Sequence, residues 1–231
     1  MDRNSNSYTF LFAIIMVVVI ASLLAYTSTT LKPLQDNNVK NETMQNILSS
    51  IGENVDRDGA EVVFNKYIKQ QLALKSDGTV DPSVDAFTIN MKNEIKKPAD
   101  QQRYPLYVAE KDGQTYYIVP LWGNGLWDAI WGYVALESDE NTIKGAKFDH
   151  KGETPGLGAE IKESWFGAQY NGKQILDADG DFVSVTAIKG GAPQGDIHGV
   201  DGISGGTITS DAVSAMISER LAHYLPYFKN N

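Results

Sequence analysis

The chain has 231 residues, 42% of them hydrophobic, and a formal charge of −9. That much apolar material is enough for a real core, while the acidic balance excludes nucleic acid as a partner and leaves no polybasic patch for anionic lipid. With no cysteine, disulfides, thiolate metal sites and cysteine-ligated clusters are excluded, and His150, His198 and His223 show no metal-ligand spacing, so no metal site is expected.

From Tyr8 to Tyr26 the chain is apolar or small throughout, and no charge lies between Arg3 and Lys32. At about 1.5 Å per residue such a helix spans a ~30 Å hydrocarbon layer, with the two tyrosines at interfacial positions. A cleaved signal peptide is the alternative, but its apolar region is normally shorter, and Leu24-Ala-Tyr-Thr makes a poor cleavage site. Arg3 on one side and Lys32 and Lys40 on the other encode little orientation bias. We therefore expect a tail and transmembrane helix over residues 1–30 and a polar juxtamembrane linker over 31–38, broken at Pro33. The soluble domain is expected to fill residues 39–231.

In that domain Val39, Met44, Ile47, Leu48 and Ile51 form a helical stripe stopped by Gly52, a pattern that marks core packing. Val62, Val63, Tyr67, Ile68 and Leu72 suggest a second helix. Strand patterns follow: Phe87, Ile89 and Met91 alternate, and Leu106–Ala109 and Tyr116–Val119 flank Asp112-Gly113, a strong hairpin signal. Ile130–Leu136 and Ile143–Phe148 complete an expected antiparallel sheet. Two tryptophans bracket the loop Trp122-Gly-Asn-Gly-Leu-Trp127, either as packing or as cover for a planar ligand. Residues 160–170 suggest a short helix, and Phe182–Ile188 reads as a strand by its β-branched content. The fold class is α+β, an antiparallel sheet with packed helices, preceded by one membrane helix.

Two glycine-rich turns carry the candidate chemistry. The first is Glu153-Thr-Pro-Gly-Leu-Gly158, where Pro155 presets one corner of a turn and Gly156 supplies positive φ at the next. The second is Asp201-Gly-Ile-Ser-Gly-Gly-Thr207, whose paired glycines let the backbone approach a ligand closely. It precedes a helix marked by Val213, Ile217, Leu221 and Tyr224. Unpaired N–H groups and the positive end of the dipole gather at a helix start and suit a phosphate. On residue type alone, Ser204, Thr207, Thr209 and Ser210 are equally candidate helix caps, and no Walker A ending is present.

Asp-Gly-x-Ser-Gly-Gly-Thr resembles the flavinylation motif of bacterial FMN-binding domains, and Glu-Thr-Pro-Gly-Leu-Gly resembles a second signature of that family, in the same order. The resemblance implies a covalent FMN, joined through its phosphate as an ester of Thr207, with Ser204, Gly205 and Gly206 around the attachment. Gly206 stands where the family usually has alanine. Thr154, Leu157 and Gly158 are implied as contacts to the flavin ring. His150 and Glu153 are either groups that tune the flavin or a solvated charged pair.

With its amino-terminal helix and the Trp122–Trp127 segment, nearly the whole chain resembles the C-subunit family of the sodium-translocating NADH:quinone reductase. The G-subunit family of the related ferredoxin:NAD reductase shares the anchor and both flavin motifs. The resemblance implies a one-electron relay in the inner membrane, with the soluble domain in the periplasm. Other membrane subunits would be its partners and a flavin transferase would mature it. No dinucleotide fingerprint is present, because Gly123-Asn-Gly125 is not followed by x-x-Gly, so no independent dehydrogenase activity is expected. A membrane-anchored binding module without a cofactor is the alternative of another class.

Overall fold

The computed structural model describes Arg3 and residues 5–230. It divides into two compact units, Met1–Thr43 and Met44–Asn231. The first consists of most of helix α1 (Asn6–Ser50), the one helix long and apolar enough to cross a membrane among the described residues. Every side chain from residue 9 to residue 39 is exposed. Phe10, Leu11, Ile14 and Val17 therefore have no protein cover, a state that suits acyl chains rather than water.

The break expected at Pro33 is absent, since α1 runs through it. A proline removes one backbone hydrogen bond, at a cost of about 3 kcal/mol in a helix interior. Thr29 and Thr30 donate their hydroxyls to the carbonyls of Ala25 and Tyr26, each at 2.8 Å, and Lys32 pairs with Asp36 across the proline at 3.2 Å. Residues 31–38 are helical, and the two compact units divide between Thr43 and Met44.

The second unit is built on a five-stranded antiparallel meander in the order β1 (Ile68–Leu74), β2 (Tyr104–Lys111), β3 (Gln114–Asn124), β4 (Ala129–Leu136), β5 (Ile143–His150). Asp112 and Gly113 take φ of 52° and 77° in the two-residue β2–β3 turn, the left-handed pair such a hairpin needs. Side chains alternate between the faces. Leu106, Val119, Ile130 and Val134 share one core with α5 (Thr207–Ala222), while Tyr107, Ile118 and Ala135 share another with the end of α1 and α2 (Ala60–Tyr67). Met44, Ile47, Leu48 and Ile51 are buried as their spacing predicts, but Val39 is exposed. Lys111 secures that helix end by donating to the Ile51 carbonyl and pairing with Glu53 at 2.7 Å.

Three further expectations are corrected. The second helical stripe ends at Tyr67, and Ile68 and Leu72 lie in β1, where Leu72 pairs with Leu106. The free backbone edge of β2 needs hydrogen-bond partners, which a strand supplies and a helix cannot. Phe87 and Met91 belong to a short turn of 3₁₀-helix (Ala86–Thr88) and to α3 (Met91–Glu94), because Asp85 and Asn90 bond the amides of Phe87 and Asn93. The strand expected over Phe182–Ile188 is reduced to β6 (Thr186–Ile188), paired in parallel with β7 (Gly199–Asp201). Ser184 interrupts it at φ 65°.

Candidate cofactor site

α5 lies against β3, close enough that a Cβ on Gly123 would come within 3.1 Å of the Met216 side chain. This packing sets where α5 begins. Val213, Ile217, Leu221 and Tyr224 are fully buried, and the Tyr224 hydroxyl donates to the Pro105 carbonyl at 2.9 Å.

The turn before α5 is shaped by its own backbone and by one side chain. The Gly206 amide donates to the Ile203 carbonyl at 3.0 Å, with Gly205 at φ 75° in between, a conformation that favours glycine. Ser210 reaches back from the first turn of α5. Its Oγ accepts from the Ile203 amide and donates to the Gly206 carbonyl, both at 3.0 Å. Thr207 is the first residue of α5, and the capping position is Gly206, with no side-chain cap bond. None of the four hydroxyl residues is therefore the cap. Among the described residues no hydrogen bond engages the half-buried Thr207 hydroxyl, and the first-turn amides of a helix are the groups that suit an anion.

The other glycine-rich loop meets this one directly. The Leu157 amide donates to the Thr154 carbonyl at 3.1 Å and Gly156 has φ 75°, the turn expected from Pro155-Gly156. Leu157 lies against the second turn: a Cβ on Gly205 would stand 2.6 Å from Leu157 Cδ2, and one on Gly206 3.1 Å from the Leu157 carbonyl carbon. Gly158 is buried, and a Cβ there would meet Thr209 Oγ1 and Glu153 Oε2. Thr154, Leu157, Ser204 and Gly205 are exposed. The two turns thus form one surface, and their glycines let them pack closely, because a Cβ at Gly158, Gly205 or Gly206 would collide with protein atoms already in place.

The bond that joins them was not foreseen from residue types. The Thr209 hydroxyl donates to Glu153 Oε2 at 2.6 Å, and the Trp127 amide donates to Glu153 Oε1 at 2.9 Å. Glu153 is 4% exposed, so it is no member of a solvated pair. Burial pushes its carboxyl up, but hydrogen bonds from Thr209, Trp127 and Asp128, with His150 nearby, outweigh that and hold it below the ordinary glutamate value. His150 Nδ1 accepts from the Glu153 amide at 3.2 Å. The available signal was a glutamate opening one glycine-rich turn and a threonine just inside the helix that follows the other.

The tryptophans divide. Trp122 stacks on Trp131, its cross-strand partner, with ring centroids 5.5 Å apart, whereas Trp127 is 69% exposed at the β3–β4 tip. Gln169 anchors the start of the second motif, accepting from the Asp201 amide at 2.8 Å, and the Asp201 carboxylate accepts from the Ala192 amide at 2.7 Å.

Residues 125–222 match the family model of the FMN-binding domain. The chain is 33% identical to the C-subunit of the Na(+)-translocating NADH-quinone reductase of Vibrio anguillarum, over 92% of this chain and 89% of that one. It is 32% identical to the C-subunit of the same reductase from Pseudomonas aeruginosa, over 94% and 91%. The crystal structure of the Parabacteroides distasonis C-subunit superposes with a TM-score of 0.80 at 40% identity, covering 87% of this chain and 98% of that one.

Proposed function

Since the chain belongs to the C-subunit family of the Na(+)-translocating NADH-quinone reductase, we propose that it is a membrane-anchored flavoprotein component of such a complex, carrying FMN as a phosphoester of Thr207. The observation that carries this reading is the meeting of the two motif turns through Glu153 and Thr209, with the unbonded Thr207 hydroxyl at the first position of α5. FMN supplies the ability to accept and pass on electrons singly.

The protein's own residues bind and place it. The Thr207 hydroxyl provides the ester oxygen, and the open amides at the start of α5 stabilise the phosphate charge. Ser204, Gly205 and Gly206 flank the attachment, and the two glycines let this turn pack against Leu157 and Ile203, which side chains there would strike. Thr154, Leu157 and Gly158, in the neighbouring turn, would hold the ring, to which exposed Leu157 would offer apolar surface. Only the placement and electrostatics are the protein's contribution. Donor and acceptor cofactors and the sodium path belong to partner subunits, since the apolar run of α1 carries no acidic residue. A flavin transferase performs the attachment. The second unit lies in the periplasm, so protease added to intact spheroplasts should digest it, and full protection would reverse that topology.

The test of the cofactor assignment is intact-mass and peptide-mass measurement on chain coexpressed with a flavin transferase. FMN is expected on the peptide containing Thr207 and absent from Thr207→Ala. An adduct on Thr209 or Ser210, or no adduct on the wild type, would overturn the assignment; the latter would leave a binding module without a cofactor.

A further inference from the structure

Glu153 is a buried carboxylate whose partners are dipoles rather than cations. Among the described residues no lysine or arginine pairs with it: nearby Lys151 is engaged with Asp128 at 2.8 Å, and His150 offers it a ring nitrogen that accepts. Its two oxygens are instead satisfied by the Thr209 hydroxyl and the Trp127 amide. A charge held this way is stable when buried, and no lysine or arginine among the described residues neutralises its field. The segments that carry the bonded groups also bear exposed apolar side chains, Leu126, Trp127, Leu157 and Ile208, each 40% or more exposed.

We propose that Glu153 is the fixed anion of this site, a tuning residue that lowers the reduction potential of the flavin attached at Thr207 while tying the β3–β4 tip, its own turn and α5 together. The inference rests on the reading of Thr207 as the FMN site. Its physical content is that an electron added to a flavin held near a buried carboxylate without a lysine or arginine partner is added against a negative potential. Glu153 touches no reacting atom and acts through the field and through the position of Thr209.

The charge can be removed with little change of contacts. In Glu153→Gln the amide oxygen still accepts from Trp127 and the amide nitrogen donates to a Thr209 hydroxyl that has rotated to accept it. Thr209→Val does the reverse, keeping the charge and deleting one hydrogen bond. The full-length chain, coexpressed with a flavin transferase, is titrated electrochemically while its visible absorbance is followed. Near-ultraviolet circular dichroism checks the fold, and intact mass reports the flavin content. Glu153→Gln is expected to retain FMN and shift the midpoint potential upward, by clearly more than Thr209→Val shifts it. An unchanged midpoint in Glu153→Gln, or an equal shift in both variants, overturns the tuning role. Loss of FMN from a folded Glu153→Gln chain also overturns it, by moving the residue's role to maturation. Absence of FMN from the wild type is a different result, which sinks the assignment of Thr207 itself.

Discussion

The hydroxyl of Thr209 donates to the carboxylate of Glu153 across 2.6 Å, joining the first turn of α5 to a loop 56 residues earlier in the chain. Both groups are almost fully buried. A hydrogen bond to a charged group contributes more than a neutral one, and removing its donor leaves the charge under-satisfied. Thr209→Val should therefore destabilise the protein by about 1.5–3 kcal/mol, while Thr209→Ser, which keeps the hydroxyl, should recover most of that. Thermal unfolding of the detergent-solubilised chain, followed by near-ultraviolet circular dichroism, measures both. Equal melting temperatures for the valine and serine variants would show that the bond contributes nothing.

The glycines of the first turn differ in what they permit. A Cβ on Gly158 would collide with Thr209 Oγ1 and Glu153 Oε2, whereas one on Gly156 would meet nothing within 4 Å. Gly158→Val should cost about 1–3 kcal/mol by overpacking and separate the two turns. Gly156→Ala has only the left-handed backbone to oppose it, at roughly 1–2 kcal/mol. The discriminating measurement is the flavin absorption spectrum of the attached cofactor, expected to change in Gly158→Val and to stay as in the wild type in Gly156→Ala.

Acid should unfold the protein partly through Glu153. Its carboxyl is held below the ordinary value of 4.5 in the folded state. The stability it contributes is therefore complete above that value and is lost as pH falls through the folded-state pKa. Asp81, held down to about 2 by Ser83 and Arg103, adds a loss at more acid pH, between 3.8 and about 2. Urea midpoints of the solubilised chain from pH 7 to pH 3 should fall more steeply in the wild type than in Glu153→Gln. Parallel curves would contradict the depressed pKa.

Tyr224 ties the end of α5 to β2 through the Pro105 carbonyl. Tyr224→Phe leaves the ring in place and deletes that bond at a fully buried site, so a loss of about 1–2 kcal/mol is expected. The melting temperature checks this, with flavin attachment at Thr207 expected to be unchanged because the deletion lies at the far end of α5.

Local chemistry alone determined the pieces that depend on neighbours in the chain. The uncharged run from Tyr8 to Tyr26 marks a spanning helix by its length, and Asp112-Gly113 marks a hairpin by its positive φ angles. Pro155-Gly156 likewise marks its turn, and the three- and four-residue spacing from Val213 marks α5 as a helix with one buried face. Tertiary structure decided the rest, wherever a residue's state depends on a distant partner. Ile68 and Leu72 fit a helical stripe, but the open edge of β2 made their segment a strand. Pro33 reads as a break, yet α1 runs through it. Sequence left Glu153 either a group that tunes the flavin or one of a solvated pair. Only the approach of Trp127 and Thr209, brought in by the β3–β4 tip and by α5, made it a buried anion joining both motifs. Hydrogen bonds between segments far apart in sequence leave no periodicity to read, because they are set by how the elements pack and not by the spacing of residues within any one of them.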